Sequence, residues 1–195
     1  MAKLTRDRLM TLEAYARARA TFRAEVMAHK RNRIVALGDH LTLFFEDELT
    51  IRYQVQEMLR AEKVFEEAGI QDELDAYNPL IPDGCNWKAT MMIEYEDLDE
   101  RRLMLTRLIG IEDRVWTEVS GFERVHAIAD EDLDRTTDSK TSAVHFLRLE
   151  LTGAMSLALK QGAALSMGVD HPSYQAELSP ISQKIRESLL QDLAN

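Results

Sequence analysis

Residues 33–46, RIVALGDHLTLFFE, carry the turn from which the fold is read. Arg33 to Leu37 and His40 to Glu46 read as two strands, because Gly38-Asp39 between them is the Gly-first dipeptide of a tight hairpin. Leu41, Leu43 and Phe45 then share one face. The same pattern recurs downstream. Trp87, Ala89, Met91, Ile93 and Tyr95 alternate with Lys88, Thr90, Met92 and Glu94, which predicts a long strand with one buried face. Arg114 to Val119 and Phe122 to Ile128 flank Ser120-Gly121 and predict a second hairpin. Ala143 to Leu151 and the alternating Leu165, Met167 and Val169 add two strands. The turn Asp170-His171-Pro172 leads into a last one at Tyr174 to Leu178.

Helices separate these hairpins. Thr11 caps a helix running to about Lys30, with Leu12, Tyr15, Ala16, Phe22, Val26 and Met27 near a 3.6 period. A second helix is expected from Leu49 or Thr50 to about Ala68, with Ile51, Val55, Met58, Leu59 and Phe65 as its stripe and Gly69 as its stop. Residues 77–84, YNPLIPDG, are turn chemistry. A helix from Asp97 or Asp99 to Ile109 ends at Gly110, with Ile111 placed for the apolar contact beyond it. Thr152 caps a short helix closed by Gly162. Ser179-Pro180 reads as the start of a terminal helix whose Ile181, Ile185, Leu189 and Leu193 repeat every four residues. The expected fold is α+β: a mainly antiparallel sheet built from hairpins, with a long N-terminal helix, a second central helix and a C-terminal helix.

Charge divides the chain. Met1 to Arg33 hold nine Lys or Arg against Asp7, Glu13 and Glu25, whereas the whole chain carries −10. Residues 1–32 are therefore expected as a basic helical arm and 33–195 as a single acidic α+β domain. Arg17, Arg19 and Arg23 are the arm's interaction residues, pairing with carboxylates of the body, of a second copy in a homodimer, or of a partner. An acidic body excludes phosphate-backbone binding there, and the arm offers only Tyr15 and Phe22 for base stacking, so nucleic acid is not the expected partner. No window is apolar enough for a membrane span, and the N-terminus lacks the apolar core of a secretory signal, so the expected location is the cytoplasm. A lone Cys85 excludes an intrachain disulfide framework.

Three constellations could carry chemistry. On the second helix Arg52, Gln56 and Arg60 fall at i, i+4 and i+8, a polar row with Glu57 beside it, which forms either a ligand pocket or an ion-pair ladder pinning the helix to the basic arm or to a neighbouring subunit. Glu46, Glu57, His145 and His171 are the candidate metal ligands, since imidazole with carboxylates suits iron or zinc. His145 shares its strand face with Leu147, Leu149 and Leu151, which favours a hydrogen-bonded core histidine. His171 lies on a turn that its own side chains can stabilise. Glu123-x-x-His126 has di-iron spacing but falls on a strand, where i and i+3 face opposite sides. Arg52, Arg60 and Arg148 could hold an anionic metabolite. No nucleophile elbow, phosphate-binding loop, dinucleotide fingerprint or zinc-protease motif is present.

The segments YNPLIP at 77–82, ATMMIE at 89–94, QVQEMLR at 54–60, ADED at 129–132, HFLR at 145–148 and GVDHP at 168–172 resemble a bacterial family known only as a domain of unknown function. The similarity runs nearly the full length. Members of that family are often encoded beside rubrerythrin-like and iron–sulfur oxidoreductase proteins. The resemblance thus implies a supporting role in redox or peroxide metabolism, with a redox protein as partner. The expected function is a non-enzymatic accessory or interaction protein without a cofactor. A small metal-binding protein or metalloenzyme holding iron or zinc is the alternative.

Overall fold

The structure, a computed structural model, describes residues 3–194. The strands, in chain order, are β1 (Ile34–Leu37), β2 (Leu41–Glu46), β3 (Asn86–Ile93), β4 (Val115–Val119), β5 (Val125–His126), β6 (Ile128–Ala129), β7 (Val144–Glu150), β8 (Leu165–His171) and β9 (Tyr174–Leu178). They form two antiparallel sheets, ordered β1-β2-β3-β7-β6 and β5-β4-β8-β9. Helices α1 (Leu12–Lys30), α2 (Glu48–Glu62), α3 (Glu67–Tyr77), α4 (Leu98–Arg107), α5 (Gly153–Lys160) and α6 (Gln183–Leu190) complete an α+β fold.

The two sheets close around one core. Leu43, Phe45, Trp87, Met91 and Leu149 of the first meet Val115, Val119, Leu165, Met167 and Val169 of the second. Residues 125–129 stitch one seam, since β5 pairs with β4, β6 pairs with β7, and the Ala127 N–H between them donates to Val115 O at 2.8 Å. At the other seam Tyr174 Oη donates to Leu37 O at 2.6 Å and accepts from the His40 N–H at 3.1 Å. Gly38 is required there twice over: its φ is +71°, and a Cβ would fall 2.6 Å from that same hydroxyl. Trp87 Nε1 donates to Leu189 O at 2.9 Å and so ties α6 to the core.

Helices α1 to α3 keep smaller cores of their own. Tyr15, Phe22 and Val26 of α1 pack on Tyr53 of α2, and Leu4 and Leu9 join Val55, Leu59, Ile70 and Leu74. Residues 1–32, where described, therefore lie on the helices of the body within the same chain.

Several local expectations change. The helix read as Leu49–Ala68 breaks at Lys63, which turns left-handed at φ 56°, and the Val64 N–H returns to Leu59 O at 2.9 Å. Val64 then packs inward, Phe65 is left 71% exposed, and Gly69 lies inside α3. Ala16 faces solvent. Ser182, not Ser179, caps the terminal helix, and Ser179-Pro180 is a cis peptide outside it. The strand read as Phe122–Ile128 shortens to β5 and β6 because the chain changes sheet there.

Candidate functional site

Glu46, Glu57, His145 and His171 do not meet. Glu57 accepts from Tyr15 Oη at 2.5 Å and from Arg19 through two bonds of 2.7 Å, and these arginine bonds first of all draw its carboxyl down to about 2. Tyr15 moves the other way, raised by burial and then by its bond to Glu57. Glu46 accepts from Thr50 Oγ1 at 2.6 Å and Thr90 Oγ1 at 3.0 Å. His171 accepts the Ser173 N–H on Nδ1 at 3.1 Å, which leaves Nε2 to donate to Ile109 O at 3.2 Å. Among the described residues no group of three or more His, Cys, Asp or Glu is arranged to hold a metal.

Two members of the polar row of α2, Arg52 and Gln56, are spent on the arm. Gln56, 1% exposed, accepts from the Met10 N–H at 2.6 Å and donates to Met10 O at 3.4 Å. Arg52 lies over the Phe22 ring, 5.3 Å from its centre, and within 3.8 Å of Glu48. Arg60 is exposed, as are Arg17 and Arg23, whereas Arg19 is the one of the three predicted arm arginines that pairs with the body. Arg148 sits elsewhere, on β7, held by Glu131 at 2.8 Å and Glu150 at 2.5 Å. The three arginines considered for an anionic metabolite are thus not gathered.

His145 anchors a buried polar cluster. Its Nδ1 donates to Asp130 Oδ2 at 2.6 Å, and its Nε2 lies 2.8 Å from Thr141 Oγ1 and 3.9 Å from Glu112 Oε2. Asp130 also accepts from the Phe146 N–H at 3.0 Å and from Arg135 at 3.1 Å, while Glu112 accepts from the Thr136 and Thr141 hydroxyls. Carboxylate, imidazole and hydroxyl stand in line as they do in a hydrolytic triad. His145 and Thr141 are, however, 0% and 1% exposed, so no substrate reaches the hydroxyl. What the cluster does is fasten residues 130–142, which have no regular structure, to β7. The acidic run at 130–134, whose composition reads as a solvated loop or a helix start, forms no helix and is turned inward at Asp130.

A second cluster was not legible in the sequence. Arg33, 1% exposed, donates to Phe45 O at 3.0 Å, Glu46 O at 3.1 Å, Ser188 O at 3.2 Å and the Asp192 carboxylate, and its Nε lies 3.5 Å from Asp47. His29 reaches the same Asp47 oxygen at 2.5 Å. Burial pushes the Asp192 carboxyl up to about 6 against the pull of Arg33. Burial also works against the charged form of Asp47, but Arg33, the Thr50 N–H and His29 outweigh it and hold that group low.

The surface feature that stands out is α4. Asp97 caps it by accepting from the Asp99 and Glu100 N–H groups at 3.0 and 2.8 Å, two acids occupy its first turn, and Arg107 lies in its last. The helix nevertheless buries no residue. Met104 and Leu105 rest partly on the core, while Leu98 and Leu103 are 62% and 50% exposed. Beside its first turn opens a cleft of about 740 Å³ lined by Asp39, His40, Glu94, Tyr95, Glu96 and Glu100. His40 stacks on Tyr95 with ring centres 4.0 Å apart, and Arg101 folds back onto Tyr95 O at 3.0 and 2.8 Å, so the cleft has fixed walls and an acidic lining. The signal that could have found this face is Leu103, which lies off the stripe formed by Met104, Leu105 and Leu108, whereas Leu98, seven residues before Leu105, falls on that stripe and is exposed at the first position of the helix.

Residues 3–193 match the model of a family described as "Protein of unknown function (DUF3501)". The chain belongs to this family. A solved structure similar to this DUF3501 chain is that of a protein of unknown function from Burkholderia pseudomallei K96243, at 57% identity. The similarity covers 99% of this chain and 100% of that one with a TM-score of 0.93. No curated protein matches. No helix among the described residues is long and apolar enough to cross a membrane.

The segments that carried the resemblance fall on fastenings of the DUF3501 fold. Asn78, in YNPLIP, accepts from the Leu4 N–H at 2.7 Å and donates to Leu4 O at 3.0 Å. Asp130 and His145 hold the 130–142 loop. His171 pins the β8–β9 turn to Ile109.

Proposed function

We propose that this DUF3501 protein is a cytoplasmic, non-enzymatic accessory protein that docks a partner on α4 and the acidic cleft beside it. The observation that carries this is a well-capped helix that buries none of its residues and leaves Leu98 and Leu103 in water. Covering each leucine is worth about 1.5–3 kcal/mol, and the carboxylates around the cleft select a surface rich in Lys and Arg. An isologous contact through this face would set carboxylate against carboxylate, so the partner is a different protein. The resemblance supplies its class, a redox protein of peroxide or electron-transfer metabolism.

A photo-crosslinking residue at position 103, expressed in cells, tests the proposal against the same residue at position 17 on α1. The expected result is one adduct from position 103, abolished by E96K/E100K, and none from position 17. An adduct that forms at position 17 alone, or that persists at position 103 in E96K/E100K, would refute it.

A further inference from the structure

A second concavity lies away from α4, between the helical layer and the outer face of the five-stranded sheet. It measures about 480 Å³, within the about 300–1,000 Å³ usual for small-molecule sites. Strand register explains its floor. Ile34 pairs with Phe44, Phe44 with Thr90 and Thr90 with Phe146, so one row of side chains crosses β1, β2, β3 and β7. Met92 lies beside that row, paired with Val144. In most sheet–helix layers such a row would be buried by the facing helices, yet Phe44, Met92 and Phe146 are only half-buried.

Charge says what would cover them. Lys30 and Arg31, at the end of α1, line the groove, and among the described residues neither side chain has a hydrogen bond or ion pair. Glu46 lies at the floor with both oxygens already accepting from Thr50 and Thr90. Two uncommitted cations against one satisfied carboxylate make this groove positive in a chain of −10. The groove continues past Leu80 and Phe146 into a smaller one of about 250 Å³, giving room for an elongated body.

We infer that the groove binds a free amphipathic carboxylate, an apolar chain lying on the Phe44–Phe146 row with its carboxylate held by Lys30 and Arg31. This site is independent of the α4 face and stands or falls apart from it. Calorimetric titration of the full chain with sodium dodecanoate, below its aggregation concentration, tests it, with acetate and dodecyltrimethylammonium as comparisons. Saturable binding of about one dodecanoate per chain is expected, with none for acetate or the cationic twin. K30Q/R31Q, on exposed or half-exposed positions, should weaken it about tenfold or more. M92D, which places a carboxylate on the apolar floor, should abolish it while thermal unfolding shows the protein folded. Absence of saturable dodecanoate binding, equal affinity for the cationic twin, or unchanged affinity in K30Q/R31Q would each overturn the inference.

Discussion

Arg33 shows how much one side chain can organise. It closes the first turn of the sheet, caps α6 through Ser188, and pairs with two carboxylates, Asp47 and Asp192, that lie far apart in the chain. Removing one partner of such a buried group leaves unpaired charge, so R33M should lose about 3–5 kcal/mol in denaturant unfolding. A loss under 1 kcal/mol would show that the cluster is ornamental. Asp192 adds a pH signature. Its carboxyl, pushed by burial up to about 6 from the ordinary aspartate value of about 3.9, binds protons more readily in the folded state. Its stabilising contribution is therefore complete below about pH 4 and lost as pH rises through 6, a swing of order 1–3 kcal/mol. D192N should flatten the stability profile between pH 4 and 7, whereas Asp47, held low, acts only below that window. An unchanged profile in D192N would contradict this.

At the scale of elements, what was legible follows from local chemistry. The hairpin at Gly38 was readable because a positive φ and a two-residue period both leave marks in neighbouring residues. So was α4 with its Gly110 stop, since Gly110 has φ 83° and Ile111 beyond it is buried. The break between α2 and α3 was not, because a lysine, not a glycine, takes the left-handed position. The 130–142 loop is a subtler case: its acidic composition reads as solvated, but Asp130, left-handed at φ 49°, turns its side chain in to His145. D130A should therefore release this segment. Amide exchange over 131–142 is expected to quicken by at least tenfold, with β3 and β8 unchanged. Uniform acceleration across the sheets, or none in the loop, would count against a local fastening.

Across the whole molecule, the charge split that divides the sequence is resolved within one chain only in part, since Arg17 and Arg23 stay exposed. Arg19 with Glu57 and Arg8 with Glu48 bring the basic end onto α2, so the arm needs no second copy to satisfy its paired arginines. The candidate site was the least legible part. Glu46, Glu57, His145 and His171 have suitable chemistry but separate tasks, because side-chain type reports what a residue can bond, and only the fold decides which partner is near. Conversely, α4 carries no motif. It is conspicuous only once the core is seen to take just Met104 and Leu105 from it, and those only partly. Once the crosslinked partner is purified, hydrogen exchange of the full chain with and without it is the most direct measurement of where docking occurs. Protection confined to residues 96–107 and the 39–40 turn is predicted, with α1 unchanged. Protection centred on α1, or none on α4, would contradict the account.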